Sequence, residues 1–305
     1  MAEEGRVTVS LRKSALMLFI LSLPYKSGII LTRSAHSVAA TPALILLIRN
    51  KRDRPEIKMT AQRTRLDRLV SEHTCINRKD VRLLLAQGRI HVDGQSAESI
   101  NQRIGPFNRV TLDKRVLQAK KARYIILHKP AGVVSATRDA KHTTVIDLIP
   151  APYKHELHIV GRLDYNSTGL MLLTNDGRWS SSLSKPENKM LKTYRVSLEK
   201  PLRSRYINAF AEGMYFDFEG LTTRPTELRI LSDYEAEVDL IEGRYHQIKR
   251  MFGRFDNRVI RLHRIAVGSL IMAADLAPGQ WRDLTLAELD SLGLEHHYIS
   301  DHKDP

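Results

Sequence analysis

The chain has 305 residues, enough for two domains, and its 42% hydrophobic and 27% charged content is ordinary for a globular protein. Its net charge of +14 is not ordinary and indicates a polyanionic partner, either nucleic acid or a membrane surface. The single cysteine, Cys75, excludes an internal disulfide framework and favours a reducing compartment, so we expect a cytoplasmic protein. No run of ~18 consecutive apolar residues is present, so the sequence predicts no membrane span.

The first 58 residues share no pattern with the rest of the chain. Apolar patches at 15–23 and 38–48 are flanked by basic residues, which fits a secretory signal or a mitochondrial presequence. A third interpretation is an over-extended reading frame whose true start is Met59. We favour the third, because Met59 leads directly into a well-patterned module. An organelle-targeted protein is the alternative if residues 1–58 are real.

Residues 59–118 form the first predicted module, and they carry an excess of cations. They contain 11 Lys and Arg against 6 Asp and Glu, whereas residues 119–305 contain 27 against 24. Cations that lie off the apolar faces of helices favour phosphate contact when few acids compensate them, although a solvated helix surface is the alternative. The candidates for RNA contact are Arg65, Arg68, Arg78, Lys79, Arg82 and Arg89.

Two short helices and a hairpin are predicted in this module. Apolar residues at helical spacing begin at Leu66, and a second helix is predicted over 78–87, with Asn77 as its cap and Gly88 as its stop. Residues 89–94 predict a strand that ends in an Asp-Gly turn. The stretch RLDRLVSEHTCINRKDVRLLLAQGRIHVDGQ resembles the S4-type RNA-binding domain, which implies that this module binds RNA.

A basic linker over 114–123 is predicted to lead into a second domain, residues 119–296, which a polar tail, 297–305, follows. Apolar and alternating runs predict strands over 124–128, 170–173, 191–198, 236–241, 259–265 and 268–271, and one that ends before Gly161. Helices are predicted over 144–148, 178–184, 203–212 and 285–292, and in the segment 242–252 after a turn.

The segment 158–177, HIVGRLDYNSTGLMLLTNDG, is the most indicative of chemistry. A polar loop with Arg162 and Asp164 lies between two apolar runs, and loops held by buried strands often carry catalytic groups. The Asp-Gly pair at its end predicts a tight turn. From these residues alone, a surface pair of arginine and aspartate in a turn is the alternative.

Several familiar chemistries have no support in the sequence. There are no cysteine pairs and no H-E-x-x-H, so no metal site is predicted. Neither a P-loop, nor a strand-linked G-x-G-x-x-G, nor a G-x-S-x-G elbow is present. A lone aspartate can attack a sugar carbon or remove a proton beside it, and either role needs a nearby cation. It also needs a means of exposing a base from folded RNA.

Four segments, in order, resemble motifs of the RNA pseudouridine synthases: LHKPAGVVSAT, GRLDYNSTGLMLLTNDG, KTY at 192–194 and EGRYHQIKRMF. The resemblance implies an α+β catalytic domain built on a mixed, largely antiparallel sheet with flanking helices. It also implies that a uridine in ribosomal RNA is converted to pseudouridine without metal or cofactor.

The resemblance assigns a role to each matching residue. Asp164 is the expected nucleophile, Tyr194 packs on the target base and serves as proton acceptor at C5, and Lys249 pairs with the aspartate. Many relatives have arginine at the position of Lys249, and Arg250 is its alternative. Arg162 is expected in the cleft that receives the flipped uridine. The full set of expected substrate-binding residues is Arg162, Leu163, Lys129, Gly132, Arg244, His246, Gln247 and Arg250.

The GRLD form of the second motif and the segment LAPGQWRDLT favour the branch that acts on small-subunit (16S) ribosomal RNA. The expected partner is therefore ribosomal RNA within an assembling small subunit, bound by a monomer that has no membrane association. An enzyme of the same branch that acts on large-subunit (23S) RNA is one alternative. A non-catalytic RNA-binding or ribosome-assembly factor is another.

Overall fold

The computed structural model describes residues 63–188, 190–217 and 219–297. The predictions for residues 1–58 and for the tail after residue 297 fall outside these residues. No helix in the described ranges is both long and apolar enough to span a bilayer.

The strands are β1 Thr64–Arg65, β2 Ile90–Val92, β3 Gln95–Ser96, β4 Arg103–Ile104, β5 Val110–Leu112, β6 Arg115–Gln118, β7 Tyr124–Lys129, β8 His158–Val160, β9 Thr168–Thr174, β10 Lys192–Leu198, β11 Tyr215–Phe216, β12 Leu221–Thr222, β13 Glu227–Ser232, β14 Glu235–Leu240, β15 Val259–Val267, β16 Leu270–Ile271 and β17 Trp281–Asp283. The α-helices are α1 Leu66–His73, α2 Val81–Ala86, α3 Gly177–Ser184, α4 Arg205–Glu212, α5 Gln247–Gly253 and α6 Leu286–Ser291. Short 3-10 helices span Lys154–Glu156 and Pro186–Asn188.

Residues 63–118 form a small module with its own core. Strands β3, β2, β5 and β6 make an antiparallel sheet in that order, and β1 pairs with β4 beside it. Apolar residues of α1, α2 and the strands pack into one cluster, which includes Leu66 and Ile90. The predicted hairpin is present, because Asp93 and Gly94 adopt positive φ values of 52° and 82° between β2 and β3.

Two predictions for this module were wrong. Helix α2 begins at Val81, and Asn77 accepts turn hydrogen bonds through its backbone carbonyl rather than capping a helix from residue 78. The predicted basic linker is partly a strand, because β6 pairs with β5 and buries Leu117. Charged neighbours conceal this strand in the sequence, since only one of its four side chains is buried.

Most strands of the remaining residues form a nine-stranded mixed sheet, and β11 pairs with β12 apart from it. Its central order is β13-β14-β10-β15-β9-β7-β17, with β16 paired to β15 and β8 paired to β9. Strands β15 and β9 run parallel and all other pairs are antiparallel, as the sequence predicted for this domain. The sequence pattern does not reveal β13, in which Leu228 alone is buried.

Both faces of this sheet are covered, which explains why strands β7 and β9 are apolar almost without alternation. In β7, Ile125 and Leu127 enter one hydrophobic cluster, while Tyr124 and Ile126 enter a second. Residues of helices α4 and α5 belong to the first cluster, and residues of α3 and α6 belong to the second. The sheet is therefore a rigid base for the loops at its strand ends.

Two further predictions confused turns with helices. Residues 144–148 form a turn instead of a helix, in which the Asp147 carboxylate accepts hydrogen bonds from the amide and hydroxyl of Thr144. The Asp-Gly pair at 176–177 does not form the predicted tight turn before the helix. Asp176 instead caps α3, because its carboxylate accepts the amide hydrogen of Arg178 at 2.9 Å.

Candidate active site

The loop between β8 and β9, residues 161–167, carries Asp164. Glycines stand close to both of its ends, Gly161 with φ +78° and Gly169 with φ +111°. A Cβ atom on Gly169 would lie 2.3 Å from the carbonyl oxygen of Arg264 in β15. Glycine is therefore required where β9 leaves the loop and begins to run beside β15.

The buried side chain of Lys129 anchors this loop through hydrogen bonds. The side chain is fully buried, and its ammonium group donates hydrogen bonds of 2.9, 3.1 and 2.8 Å to the carbonyl oxygens of Pro130, Tyr165 and Ser167. Burial lowers the pKa of Lys129 to about 8, and the Asp164 carboxylate opposes that shift. The prediction that Lys129 binds substrate is corrected, because all three ammonium hydrogens are engaged and no surface is accessible. Lys129 is a positioning residue.

The segment after β7 holds the loop at two more points. The amide of Gly132, whose φ is +78°, donates to the carbonyl of Tyr165 at 3.0 Å. The Ser135 hydroxyl donates to the Leu163 carbonyl at 2.6 Å and accepts the Leu163 amide hydrogen at 3.1 Å. Ser135 was missed as a site residue, although it lies inside the first motif. The Leu163 side chain is 7% exposed and belongs to the core beneath the cleft.

Both carboxylate oxygens of Asp164 have a basic neighbour. Lys249 Nζ donates to Oδ2 at 2.7 Å, and His246 Nε2 lies 3.4 Å from Oδ1. Both neighbours come from the start of α5, which begins directly after His246. The Asp164 side chain remains 30% exposed, so a reacting group can reach it. The structure therefore brings together the aspartate and lysine that the motifs predicted.

Arg250 does not share this environment. Its Nη2 atom lies 2.6 Å from Oε2 of Glu219, and its guanidinium lies 3.7 Å from the centre of the Phe216 ring. Successive residues of an α-helix point about 100° apart, so only one of two adjacent cations can face the aspartate. Arg250 is therefore not the partner of Asp164, which is Lys249, and substrate binding by Arg250 stays a prediction.

A cleft opens beside the carboxylate and continues into a larger cavity. Asp164 and His246 line the cleft, which adjoins a cavity of about 580 Å³. Arg162, Tyr194 and Arg244 line both spaces. Tyr194 follows a register shift in β10 and is 7% exposed. The Arg162 side chain is exposed and makes no hydrogen bond within the described part of the chain, so it is available to a ligand.

Glu242, which the sequence analysis missed, organises the turn before α5. Its carboxylate accepts hydrogen bonds from Gln247 Nε2 at 2.7 Å and from Arg244 Nε at 3.0 Å. Gln247 is 3% exposed and also accepts the Arg244 amide hydrogen at 3.2 Å. Gln247 lines the cleft, and its side-chain amide is engaged within the turn, so its binding of substrate stays a prediction. Arg244 keeps an exposed side chain beside the cleft.

Arg264 was also missed, and it connects the two ends of the Asp164 loop. Its guanidinium is 1% exposed and donates to the carbonyls of Leu170 at 2.7 Å and Gly161 at 3.4 Å. A buried cation whose partners are carbonyl groups is costly, so its position indicates a specific structural task. No local sequence signal distinguishes this arginine from the others in β15.

The six cations predicted to contact RNA fall into two groups. Three form ion pairs within the small module: Arg65 with Asp67 at 2.7 Å, Arg68 with Glu72 at 2.7 Å, and Arg89 with Asp113 at 2.7 Å. The other three are exposed and make no ion pair or hydrogen bond through their side chains within the described residues: Arg78, Lys79 and Arg82. The second group is the freer to contact phosphate.

The cleft combines an accessible carboxylate, an adjacent cation and a cavity large enough for a base. A carboxylate held in this way can attack a sugar carbon. Among the described residues, no group of three or more His, Cys, Asp or Glu side chains could hold a metal ion. The absence of a cofactor remains a prediction.

Comparison with known proteins agrees with the motifs. A family model described as RNA pseudouridylate synthase matches residues 123–253. A protein of Pseudomonas aeruginosa named ribosomal small subunit pseudouridine synthase A is 50% identical over 229 residues, which are 75% of this chain and 100% of the relative. The protein of the same name from Escherichia coli K12 is 36% identical over 229 residues, 75% of this chain and 99% of the relative.

A solved structure described as a crystal structure of pseudouridylate synthase also matches. It is 34% identical, has a TM-score of 0.55, and the match covers 75% of this chain and 99% of that one. The extent and identity of these matches show that the chain belongs to the RNA pseudouridine synthase family.

Proposed function

We propose that this enzyme converts a uridine of ribosomal RNA to pseudouridine, with Asp164 as the nucleophile and small-subunit RNA as the substrate. The observation that carries the proposal is the 2.7 Å contact between Lys249 and Asp164 in an accessible cleft. Its RNA target follows from the relatives, since the 50% identical protein is named for the small ribosomal subunit.

The proposed reaction is an isomerisation that the cleft residues can carry out. The Asp164 carboxylate attacks C1′ of the target ribose, and the bond from C1′ to N1 breaks as uracil leaves with the electron pair. The uracil turns in the cavity, and its C5 forms a bond to C1′ that displaces the carboxylate. C5 then loses its proton to the oxygen of Tyr194, the proposed acceptor, as the Tyr194 hydroxyl gives up its own proton, and N1 gains one. Atoms and electrons balance without a cofactor.

RNA binding is proposed to involve both parts of the chain. Residues 59–118 are proposed to be an S4-type RNA-binding domain and residues 119–296 the catalytic domain. The unpaired cations of the small module support this division, because they can contact phosphates without loss of an existing ion pair. A cytoplasmic monomer that acts on an assembling small subunit is the proposed context.

Mapping of pseudouridine in ribosomal RNA from cells with and without this gene tests the proposal. We expect one site in small-subunit RNA to be lost with the gene and restored when purified protein is incubated with that RNA. Loss of a site in large-subunit RNA alone would favour the alternative target. Unchanged pseudouridine together with tight binding of ribosomal RNA would favour the non-catalytic assembly factor.

Lys129 is expected to give the reaction a pH dependence. Because the pKa of Lys129 is about 8, the side chain is a cation below that pH and neutral above it. The neutral amine loses its attraction to Asp164 and has two hydrogens for three carbonyl oxygens. We therefore expect kcat to fall as the pH rises from 7 to 9, measured with saturating RNA.

The variant Lys249→Arg tests whether Lys249, rather than Lys129, causes the decline in kcat. Arginine stays charged throughout this range, so a decline in kcat centred near pH 8 that persists in Lys249→Arg cannot come from position 249. Lys129→Met removes the titrating amine, and its remaining activity is expected to show no inflection there. A wild-type profile that is flat from pH 7 to 9 would contradict the assignment.

A further inference from the structure

Tyr245 is 75% exposed, more than any other large apolar side chain in the described part of the chain. Its hydroxyl makes no hydrogen bond within those residues, so the ring is held out in solvent without a polar anchor. Single exposed apolar side chains are common on protein surfaces and usually have no special role. The position of this ring distinguishes it from the others.

Tyr245 is stacked on the ring next to the candidate active site. Its centroid lies 3.9 Å from that of His246, with an angle of 20° between the two planes. His246 is itself held in a left-handed conformation, φ +49°, with Nε2 3.4 Å from Asp164 Oδ1. One face of the tyrosine ring is thus covered, and the high exposure leaves the other face open. The ring is fixed at the rim of the cleft.

The chemistry of this surface matches a nucleobase. A target uridine that leaves the RNA stack exposes the faces of its neighbours, and proteins commonly cover such faces with aromatic rings. An open, flat ring offers stacking to any base, whereas it offers no charge to a phosphate. The exposed cation of Arg162 lines the cleft that His246 also lines, and it favours a polyanionic ligand over an apolar peptide.

We propose that the outer face of Tyr245 stacks on an unpaired RNA base adjacent to the target uridine. The identity of the target rests on the proposed function, but the stacking site itself does not. The His246 ring positions the Tyr245 ring by stacking on it, and His246 is itself in contact with Asp164. The site takes an unpaired base of any type, because stacking is tolerant of sequence.

Two variants and one control test this site. Tyr245→Ala removes the ring, Tyr245→Phe retains it, and Tyr234→Ala removes a 49% exposed ring from the turn between β13 and β14. The first measurement is KM and kcat for pseudouridine formation in small-subunit RNA. The second is Kd for a short oligouridine RNA that contains 2-aminopurine, whose fluorescence is quenched when the base stacks.

We expect Tyr245→Ala to raise both KM and Kd by about 5- to 100-fold and to relieve the quenching, with kcat within about twofold of wild type. Tyr245→Phe and Tyr234→Ala are expected to behave as wild type in both measurements. Unchanged Kd and quenching in Tyr245→Ala would overturn the proposal, as would a loss confined to kcat, which would indicate an action through His246. If wild type makes no pseudouridine, the proposed function fails, while the oligouridine measurement still tests the stacking site.

Discussion

Asp164→Asn is expected to reduce pseudouridine formation by about 10⁴-fold or more while RNA binding remains nearly unchanged. The amide has almost the same shape as the carboxylate, but it cannot attack C1′. Binding is expected to survive because phosphate contacts are spread over many cations of the chain. The measurement is release of tritium from RNA that carries 5-tritiated uridine, under single-turnover conditions, together with Kd for the same RNA.

Asp256→Asn is the matched control for this substitution. Asp256 is an exposed aspartate with φ +51°, a conformation that asparagine also tolerates, and its carboxylate lies 2.5 Å from Lys200. We expect this variant to retain wild-type turnover. Turnover by Asp164→Asn at a level comparable with the control would refute the nucleophilic role of Asp164.

Lys249→Met is expected to lower kcat by about 10² to 10³-fold. Lys249 Nζ is the cation closest to Asp164 Oδ2, at 2.7 Å, and methionine leaves that oxygen without a partner. The carboxylate then loses both its orientation and the compensation of its charge. Lys249→Arg is expected to retain activity within about tenfold. The positive charge is kept, but a planar guanidinium replaces the compact ammonium group.

Arg250→Met provides the comparison for the loss of a cation from the same helix. Arg250 pairs with Glu219 rather than with Asp164, so its removal is expected to leave kcat unchanged and to affect only local stability. Multiple-turnover kinetics with saturating RNA measure both variants side by side. Equal losses in Lys249→Met and Arg250→Met would show that the ion pair with Asp164 has no particular importance.

The residues proposed to take part in the chemistry were predictable from the sequence. Asp164 and Lys249 are 85 residues apart, yet each lies in a motif whose residue types restrict its role, and the structure places them in contact. The central strands were also predictable, because short apolar runs bounded by turn signals are consistent with buried strands and alternation indicates a half-buried one. Short elements with one buried side chain, such as β6 and β13, escaped prediction because they carry almost no periodic signal.

Residues that hold other residues in place could be identified only from the tertiary structure. Ser135 forms a hydrogen bond with Leu163, which is 28 residues later in the sequence. Arg264 forms one with Gly161, which is 103 residues earlier. Such contacts are made through backbone carbonyls and amides, which are the same at every position and leave no pattern in the side chains. Lys129 is a further example of a role that the sequence does not specify. The motif predicts that it lies near the cleft, but its complete burial shows that it holds the loop.

The family, and the candidate roles of Asp164 and Lys249, could be predicted from the type and order of the residues in the motifs. Which of Lys249 and Arg250 contacts Asp164 was settled by the fold, since that contact depends on the rotation of α5 after His246. It also decided which of the other candidates face the cleft and that the ring of Tyr245 is left open at its rim. The direction in which a side chain points and the extent of its burial arise from packing between distant segments, and no local pattern of residues specifies them.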